Sequence, residues 1–155
     1  MIHELPFLGK AKDGFITEGI EEYCKRLRHY TTLSVTLLKE RGKKKGRSLD
    51  PAEQEAEILL QSVPGGALVV ALDAEGEQYS SEKFAILISD WEQRGIKQVS
   101  YLIGGPTGLC RSVLDRADVL LSLSKMTFTH DMARLLLLEQ LYRAYTIKAG
   151  EKYHK

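Results

Sequence analysis

Short runs of apolar residues alternate along this chain with longer segments in which apolar residues recur every three or four positions. The run "ALVVALD" at residues 67–73 is apolar up to its last residue, as in strands that are covered on both faces of a parallel sheet. The longer segments have the spacing of amphipathic helices. One of them opens with "DPAE", which places Asp50 at the N-cap and Pro51 at the first helical position. The alternation predicts an α/β domain whose mostly parallel sheet is flanked by helices.

The predicted elements alternate between strand and helix to the end of the chain. Strands are predicted within residues 1–9 and at about 33–38, 67–73, 98–103 and 119–123, and helices after Asp13, at about 51–62, around 84–91, at 111–117 and at about 131–148. Pro6 cannot donate to a ladder, which leaves the register of the first strand open. Ligands bind beyond the carboxyl ends of parallel strands. The loops after Asp73, at 104–108 and at 124–130 are therefore candidate ligand-binding loops.

Length and composition indicate one small domain. The chain has 155 residues, of which 43% are apolar, so a single domain over residues 1–155 is expected. The aliphatic run Leu135–Leu138 is too short to span a bilayer, and residues 1–10 lack the pattern of a signal peptide. We expect a cytoplasmic protein without membrane contact. The histidines and the two cysteines, Cys24 and Cys110, lack metal-ligand spacing, so no metal is expected and both cysteines are predicted to be free thiols.

The charge is divided unevenly along the chain. Residues 1–47 carry 11 Lys or Arg against 6 Asp or Glu, whereas residues 48–155 carry 11 against 15. Much of the basic excess lies in "RGKKKGR", Arg41–Arg47. Such a segment is either a solvated connector or a loop that binds the phosphates of a nucleic acid.

Two loops carry the candidate chemistry. "YLIGGPTGL" at 101–109 has neither the lysine of a phosphate-binding P-loop nor the spacing of a dinucleotide fingerprint. Its bare backbone at Gly104 and Gly105 allows close approach of a ligand, because a Cβ atom there could block it, although a plain strand-to-helix turn has the same composition. "LSLSKMTFTH" at 121–130 mixes apolar and hydroxyl side chains, which suits an adenine ring and its ribose.

Together with the end of the chain, these loops resemble a known family. The motifs that carry the resemblance are ALD at 71–73, IGGPTG at 103–108, SLSKMTFTH at 122–130, EQLYRA at 139–144 and GEKYH at 150–154. They resemble those of the ribosomal large subunit methyltransferase H family, which belongs to the SPOUT superfamily of knotted RNA methyltransferases. The resemblance implies a C-terminal trefoil knot that binds S-adenosyl-L-methionine. The residues implied in cofactor binding, with Gly105 added from the backbone argument above, are Leu72, Gly104, Gly105, Leu123, Ser124, Lys125, Met126, Thr127 and Phe128.

The resemblance also implies a substrate and an assembly. The substrate would be a pseudouridine in a stem-loop, helix 69, of 23S ribosomal RNA, methylated at N3 on the ribosome. Tyr153 and His154 would be the catalytic residues, reaching the active site from the end of the chain. The family's members are homodimers, and Leu135–Leu138 spread apolar surface around the last helix, more than one core-facing stripe requires.

Some roles stay open at this stage. His130 is either a residue at the start of the last helix or part of the site, and Arg143 is either a surface cation or a phosphate contact. A SPOUT enzyme acting on transfer RNA and a non-catalytic RNA-binding module are the alternatives to a ribosomal RNA methyltransferase.

Overall fold

A computed structural model describes residues 1–39 and 50–153, and this part of the chain contains a five-stranded, all-parallel sheet. The strands are β1 (Ile2–Leu8), β2 (Thr32–Leu38), β3 (Leu68–Gln78), β4 (Gln98–Leu102) and β5 (Val119–Ser122). Their order across the sheet is β2-β1-β4-β3-β5. The predicted α/β class with a parallel sheet is confirmed. The basic segment Arg41–Arg47 and the candidate residue His154 lie outside the described residues.

Five helices in the described ranges cover the two faces of the sheet. They are α1 (Gly14–Leu27), α2 (Pro51–Ser62), α3 (Ser81–Gln93), α4 (Arg111–Arg116) and α5 (His130–Lys148). Helices α1, α3 and α5 share one apolar core with the sheet, which includes the fully buried Leu27, Ile88 and Leu141. Helices α2 and α4 form a smaller core on the opposite face, around Leu59 and Val113. Asp13 and Asp50 stand at the predicted N-caps, although neither side chain makes a capping hydrogen bond.

The register of the first strand is now defined. β1 pairs with β2 along its whole length, from Ile2 opposite Thr32 to Leu8 opposite Leu38. On its other side β1 pairs with β4 only over Ile2–Glu4. Pro6 therefore has a neighbouring strand on the β2 side alone, which is compatible with its missing N–H group.

β3 extends five residues beyond the predicted end at Asp73. It pairs with Leu121 of β5 twice, through Leu72 and again through Glu77, and the residues between them form a bulge. Gly76 makes this possible, because a Cβ atom at that position would lie 2.6 Å from the carbonyl oxygen of Leu120. The residues of the bulge are mostly polar, so the pattern of apolar residues did not predict this second half of the strand.

Among residues 1–39 and 50–153, none of the helices has both the length and the apolar character needed to cross a bilayer. Cys24 is buried and Cys110 is partly exposed, and both are free thiols.

Candidate functional site

A cavity of about 580 Å³ lies at the carboxyl ends of the central strands. The bulge of β3, the loop after β4 and the loop after β5 form its walls, as predicted for these three segments, and the first turn of α5 completes it. Its lining consists of Leu72, Asp73, Ala74, Ile103, Gly104, Gly105, Pro106, Gly108, Leu121, Leu123, Ser124, Met126, Thr127, Phe128, Thr129, His130 and Ala133.

Eight of the nine residues predicted to bind a cofactor line this cavity. Lys125 does not line it and is exposed. The sequence analysis missed Ala133, which follows His130 by three residues and so faces the same side of α5. His130, left open at the sequence level, lines the cavity.

The glycine loop after β4 is folded tightly on itself. The amide of Gly108 donates to the carbonyl oxygen of Gly105 at 3.0 Å, and Gly108 has a φ of 79°, in the left-handed region that favours glycine. A Cβ atom on Gly104 would lie 2.5 Å from the carbonyl carbon of Gly108. Glycine at 104 is thus required by the loop's own backbone, whereas the sequence analysis attributed it to ligand access.

Gly105 is restricted by a residue from a distant part of the chain. A Cβ atom on Gly105 would lie 2.7 Å from each carboxylate oxygen of Glu55, a half-buried residue of α2. No local sequence pattern indicates this contact, because it joins a helix on one face of the sheet to a loop fifty residues later. The carboxylate of Glu55 therefore lies against Gly105.

Hydroxyl groups shape the loop after β5. Ser122 Oγ donates to the carbonyl oxygen of Ser124 at 3.0 Å, and Ser124 Oγ accepts from the amide of Met126 at 3.0 Å. Met126 is 75% exposed and Phe128 is 38% exposed. The serines thus fix the loop, and two apolar side chains stand on the open rim of the cavity.

A buried ion pair fixes the start of α5 beside the cavity. Arg134 donates from Nη1 to Asp131 Oδ1 at 3.2 Å and from Nη2 to the carbonyl oxygen of Leu8 at 2.6 Å. Asp131 also accepts from the amide of Lys12 at 3.1 Å. Both charged side chains are almost completely buried. The pair ties the end of β1 and the β1–α1 loop to the helix turn that carries His130, a role that the opposite charges at i and i+3 could have indicated.

Tyr153 lies away from the cavity of its own chain. Its hydroxyl donates to Glu139 Oε1 at 3.2 Å and lies 3.3 Å from that of Tyr23, and its ring packs against Tyr142 at 4.8 Å between centroids. Burial raises the pKa of Tyr153 above its ordinary value, with a contribution from its contact with Tyr23. In this position the phenol donates a hydrogen bond to Glu139.

Arg143, whose role was open, belongs to the same cluster. It donates from Nη2 to Glu139 Oε1 at 2.7 Å and from Nε to the same oxygen at 3.0 Å. Its guanidinium carbon lies 4.7 Å from the centre of the Tyr153 ring. Arg143 is therefore a support for the end of the chain in this conformation.

Comparisons with known proteins agree over the whole chain. A family model described as "Predicted SPOUT methyltransferase" matches residues 1–154. The chain is 61% identical over 155 residues to the ribosomal RNA large subunit methyltransferase H of Desulfotalea psychrophila, covering 100% of both chains. It is 42% identical over 152 residues to the protein of the same name from Halothermothrix orenii, covering 96% of both.

A solved structure shows the same fold at low sequence identity. It is that of a probable methylase family protein from Haemophilus influenzae, with a TM-score of 0.54 and 13% identity, covering 99% of this chain and 70% of that one. At this identity the likeness concerns the fold alone.

Proposed function

Because this chain belongs to the ribosomal RNA large subunit methyltransferase H family of SPOUT methyltransferases, we propose that it methylates 23S ribosomal RNA with S-adenosylmethionine as the methyl donor. The finer proposal is methylation at N3 of a pseudouridine in helix 69. The observation that carries the proposal is the cavity, which brings together eight of the nine residues predicted to bind the cofactor.

The cavity suits S-adenosylmethionine in size and chemistry. A volume of about 580 Å³ falls within the range of sites for drug-sized ligands. Leu72, Leu123 and Phe128 offer apolar surface that suits an adenine ring. The first turn of α5, at Thr129 and His130, offers the positive end of a 19-residue helix, which favours a carboxylate.

When bound, S-adenosylmethionine supplies a methyl group on a positively charged sulfur. The apolar side chains of the cavity wall would keep water away from a bound methyl donor, and such desolvation favours a reaction in which opposite charges neutralise each other. The N3 proton of the base must leave before attack. His130 is the candidate for moving that proton from within the cavity, because it belongs to the lining and its side chain is 23% exposed.

Tyr153 and His154 remain the proposed catalytic residues from the end of the chain, acting in the active site of a second copy. Two observations support this homodimer. Tyr153 lies on the middle of α5 and not in its own cavity, and the cavity rim exposes Met126 and Phe128, surface that a partner could cover.

The side chains of Leu135–Leu138 leave less apolar surface for a partner subunit than the sequence indicated. Leu137 and Leu138 are completely buried in the core of their own chain. Leu135 packs so closely on α1 that a Cβ atom on Gly19 would lie 2.8 Å from it. Most of this apolar surface is therefore used within one domain.

Calorimetry with S-adenosylmethionine tests the cavity assignment. In the variant Ala133→Phe a large ring would enter the cavity, whereas Ala149→Phe makes the same change at the exposed C-cap of the same helix. We expect the first variant to lose at least about tenfold in affinity, as an overfilled site does, and the second to bind like the parent. Absence of binding by the parent chain, or equal affinity in both variants, would contradict the assignment.

A further inference from the structure

We propose that Glu55 is a positioning residue of the cavity, which supports Gly105 from behind and so holds the glycine loop at 104–108 in the shape that forms the cavity wall. The inference rests on the proposed function only in taking the cavity as the methyl-donor site. The contact between Glu55 and Gly105 is independent of that assignment.

The Glu55 carboxylate occupies the space that a Cβ atom at position 105 would need. Both oxygens of Glu55 lie 2.7 Å, and its Cδ atom 3.0 Å, from the position of a Cβ atom on Gly105. Real Cβ atoms essentially never show the two shorter distances, and the third is tighter than most real Cβ contacts. Gly105 also lines the cavity. The loop at this residue is thus bounded by the cavity on one side and by the Glu55 carboxylate on the other.

Helix α2, which carries Glu55, is fixed to the sheet by its buried side chains. Ala56, the residue after Glu55, is 3% exposed, and Leu59 is 1% exposed, in the core shared with Val113 of α4. The backbone from which the Glu55 side chain projects is therefore held in place. The flexible end of this side chain, its carboxylate, lies against Gly105.

Although its turn is closed by a backbone hydrogen bond, the glycine loop has much conformational freedom to lose. Three of its five residues are glycines, and the hydrogen bond from Gly108 to Gly105 closes only the turn between them. Glycine backbones have more conformations to lose on ordering than other residues. Contacts from outside the loop, such as that from Glu55, must therefore restrict it.

A double-mutant cycle tests the contact. Glu55→Ala, Gly105→Ala and the double variant are compared in free energy of unfolding by urea and in affinity for S-adenosylhomocysteine. Gly105→Ala alone places a methyl group where the carboxylate lies, so the flexible end of Glu55 must move off the loop, and we expect binding to weaken at least about tenfold. In the Glu55→Ala background the methyl group has space, so the same change should cost much less.

Amide hydrogen exchange at residues 105, 107 and 108 tests whether Glu55 holds the glycine loop in place. We expect exchange there to quicken at least about tenfold in Glu55→Ala. It should stay near the parent rate in Glu55→Gln, which keeps the shape of the side chain, and in the control Glu53→Ala, which removes an exposed carboxylate from the first turn of the same helix.

The outcomes separate this proposal from the proposed function. If the parent chain binds no S-adenosylhomocysteine or S-adenosylmethionine, the function fails, and unfolding and exchange still decide the role of Glu55. If Gly105→Ala costs the same with and without Glu55, or if exchange in Glu55→Ala matches that in Glu53→Ala, the positioning role is overturned.

Discussion

The hydroxyl of Tyr153 lies 3.2 Å from Glu139 Oε1, and this contact seats the end of the described chain on the middle of α5. The cavity end of that helix, at His130, is nine residues earlier, or about 13 Å along the axis. Tyr153 cannot keep the contact with Glu139 and also enter the cavity of its own chain. A catalytic Tyr153 therefore requires a second copy or a large movement of the chain end.

A mixing experiment distinguishes these two possibilities. One chain carries Ala133→Phe in its cavity, and the other carries Tyr153→Ala and His154→Ala. If active sites are shared between subunits, each chain alone is inactive on ribosomes, and mixed dimers recover methyl transfer at one site in two. Subunit exchange is verified by labelling the two chains differently.

The opposite outcome of this mixing experiment is equally informative. No recovery after proven exchange would show that Tyr153 and His154 act, if at all, in their own subunit. A dimer with self-contained sites would be compatible with that result, and the chain end would then have to leave Glu139 during the reaction.

Replacing Arg134 should lower the free energy of unfolding more than replacing an exposed charged residue does. Arg134→Met leaves Asp131 buried without its charged partner, which costs about 3 kcal/mol or more in such pairs. Arg94→Met is the control, because its pair with Asp90 has side chains that are 62% and 52% exposed, and exposed pairs contribute about 1 kcal/mol or less. Equal losses of unfolding free energy in urea would contradict the role given to Arg134.

His3 should make stability depend on pH. It is completely buried between the hydroxyls of Tyr101 at 2.9 Å and Tyr145 at 2.8 Å. Burial lowers the pKa of His3 from 6.5 to about 3. The folded state therefore holds His3 neutral, while the unfolded state takes up a proton below pH 6.5, so stability falls as the pH falls from about 6.5 towards 3.

The slope below pH 6.5 is the measurable consequence. One group contributes about 1.4 kcal/mol per pH unit there. His3→Gln keeps a donor and an acceptor but does not titrate, so its unfolding free energy should fall less steeply between pH 6.5 and pH 5 than that of the parent. Parallel curves for the two proteins would rule out His3 as the source of the slope.

The basic segment Arg41–Arg47 should contribute affinity for RNA without base selectivity, because Lys and Arg side chains in such a segment contact phosphates. Replacing Lys43, Lys44 and Lys45 by Gln should flatten the salt dependence of ribosome binding by up to about three in the slope of log K against log salt. An unchanged slope would leave the segment as a connector.

The sequence predicted most of the fold because local patterns specified it. The N-cap at Asp50 followed by Pro51 marked the start of α2, and the apolar run at 67–73 marked a buried parallel strand. The carboxyl-end rule for parallel sheets then identified the loops that form the cavity. The extension of β3 was missed because its bulge, with Gly76 at the crossing, has no apolar pattern.

Long-range relationships could not be predicted in this way. The contact of Glu55 with Gly105 and the position of Tyr153 on α5 join segments that no local periodicity relates. The trefoil knot and the site shared between subunits came from the family resemblance and stay predictions. Threading of a chain has no local sequence signal, since it is a property of the whole path.

The most direct measurement for the account is methyl transfer to ribosomes followed by nucleoside mass spectrometry. The purified chain is incubated with S-adenosylmethionine and ribosomes from cells that lack the gene, and with transfer RNA as the alternative substrate. We predict one new N3-methylpseudouridine, located in helix 69 of 23S ribosomal RNA, and its loss in Ala133→Phe but not in Ala149→Phe. Methylation of transfer RNA alone, or no methylation of either RNA by a chain that binds S-adenosylmethionine, would contradict it.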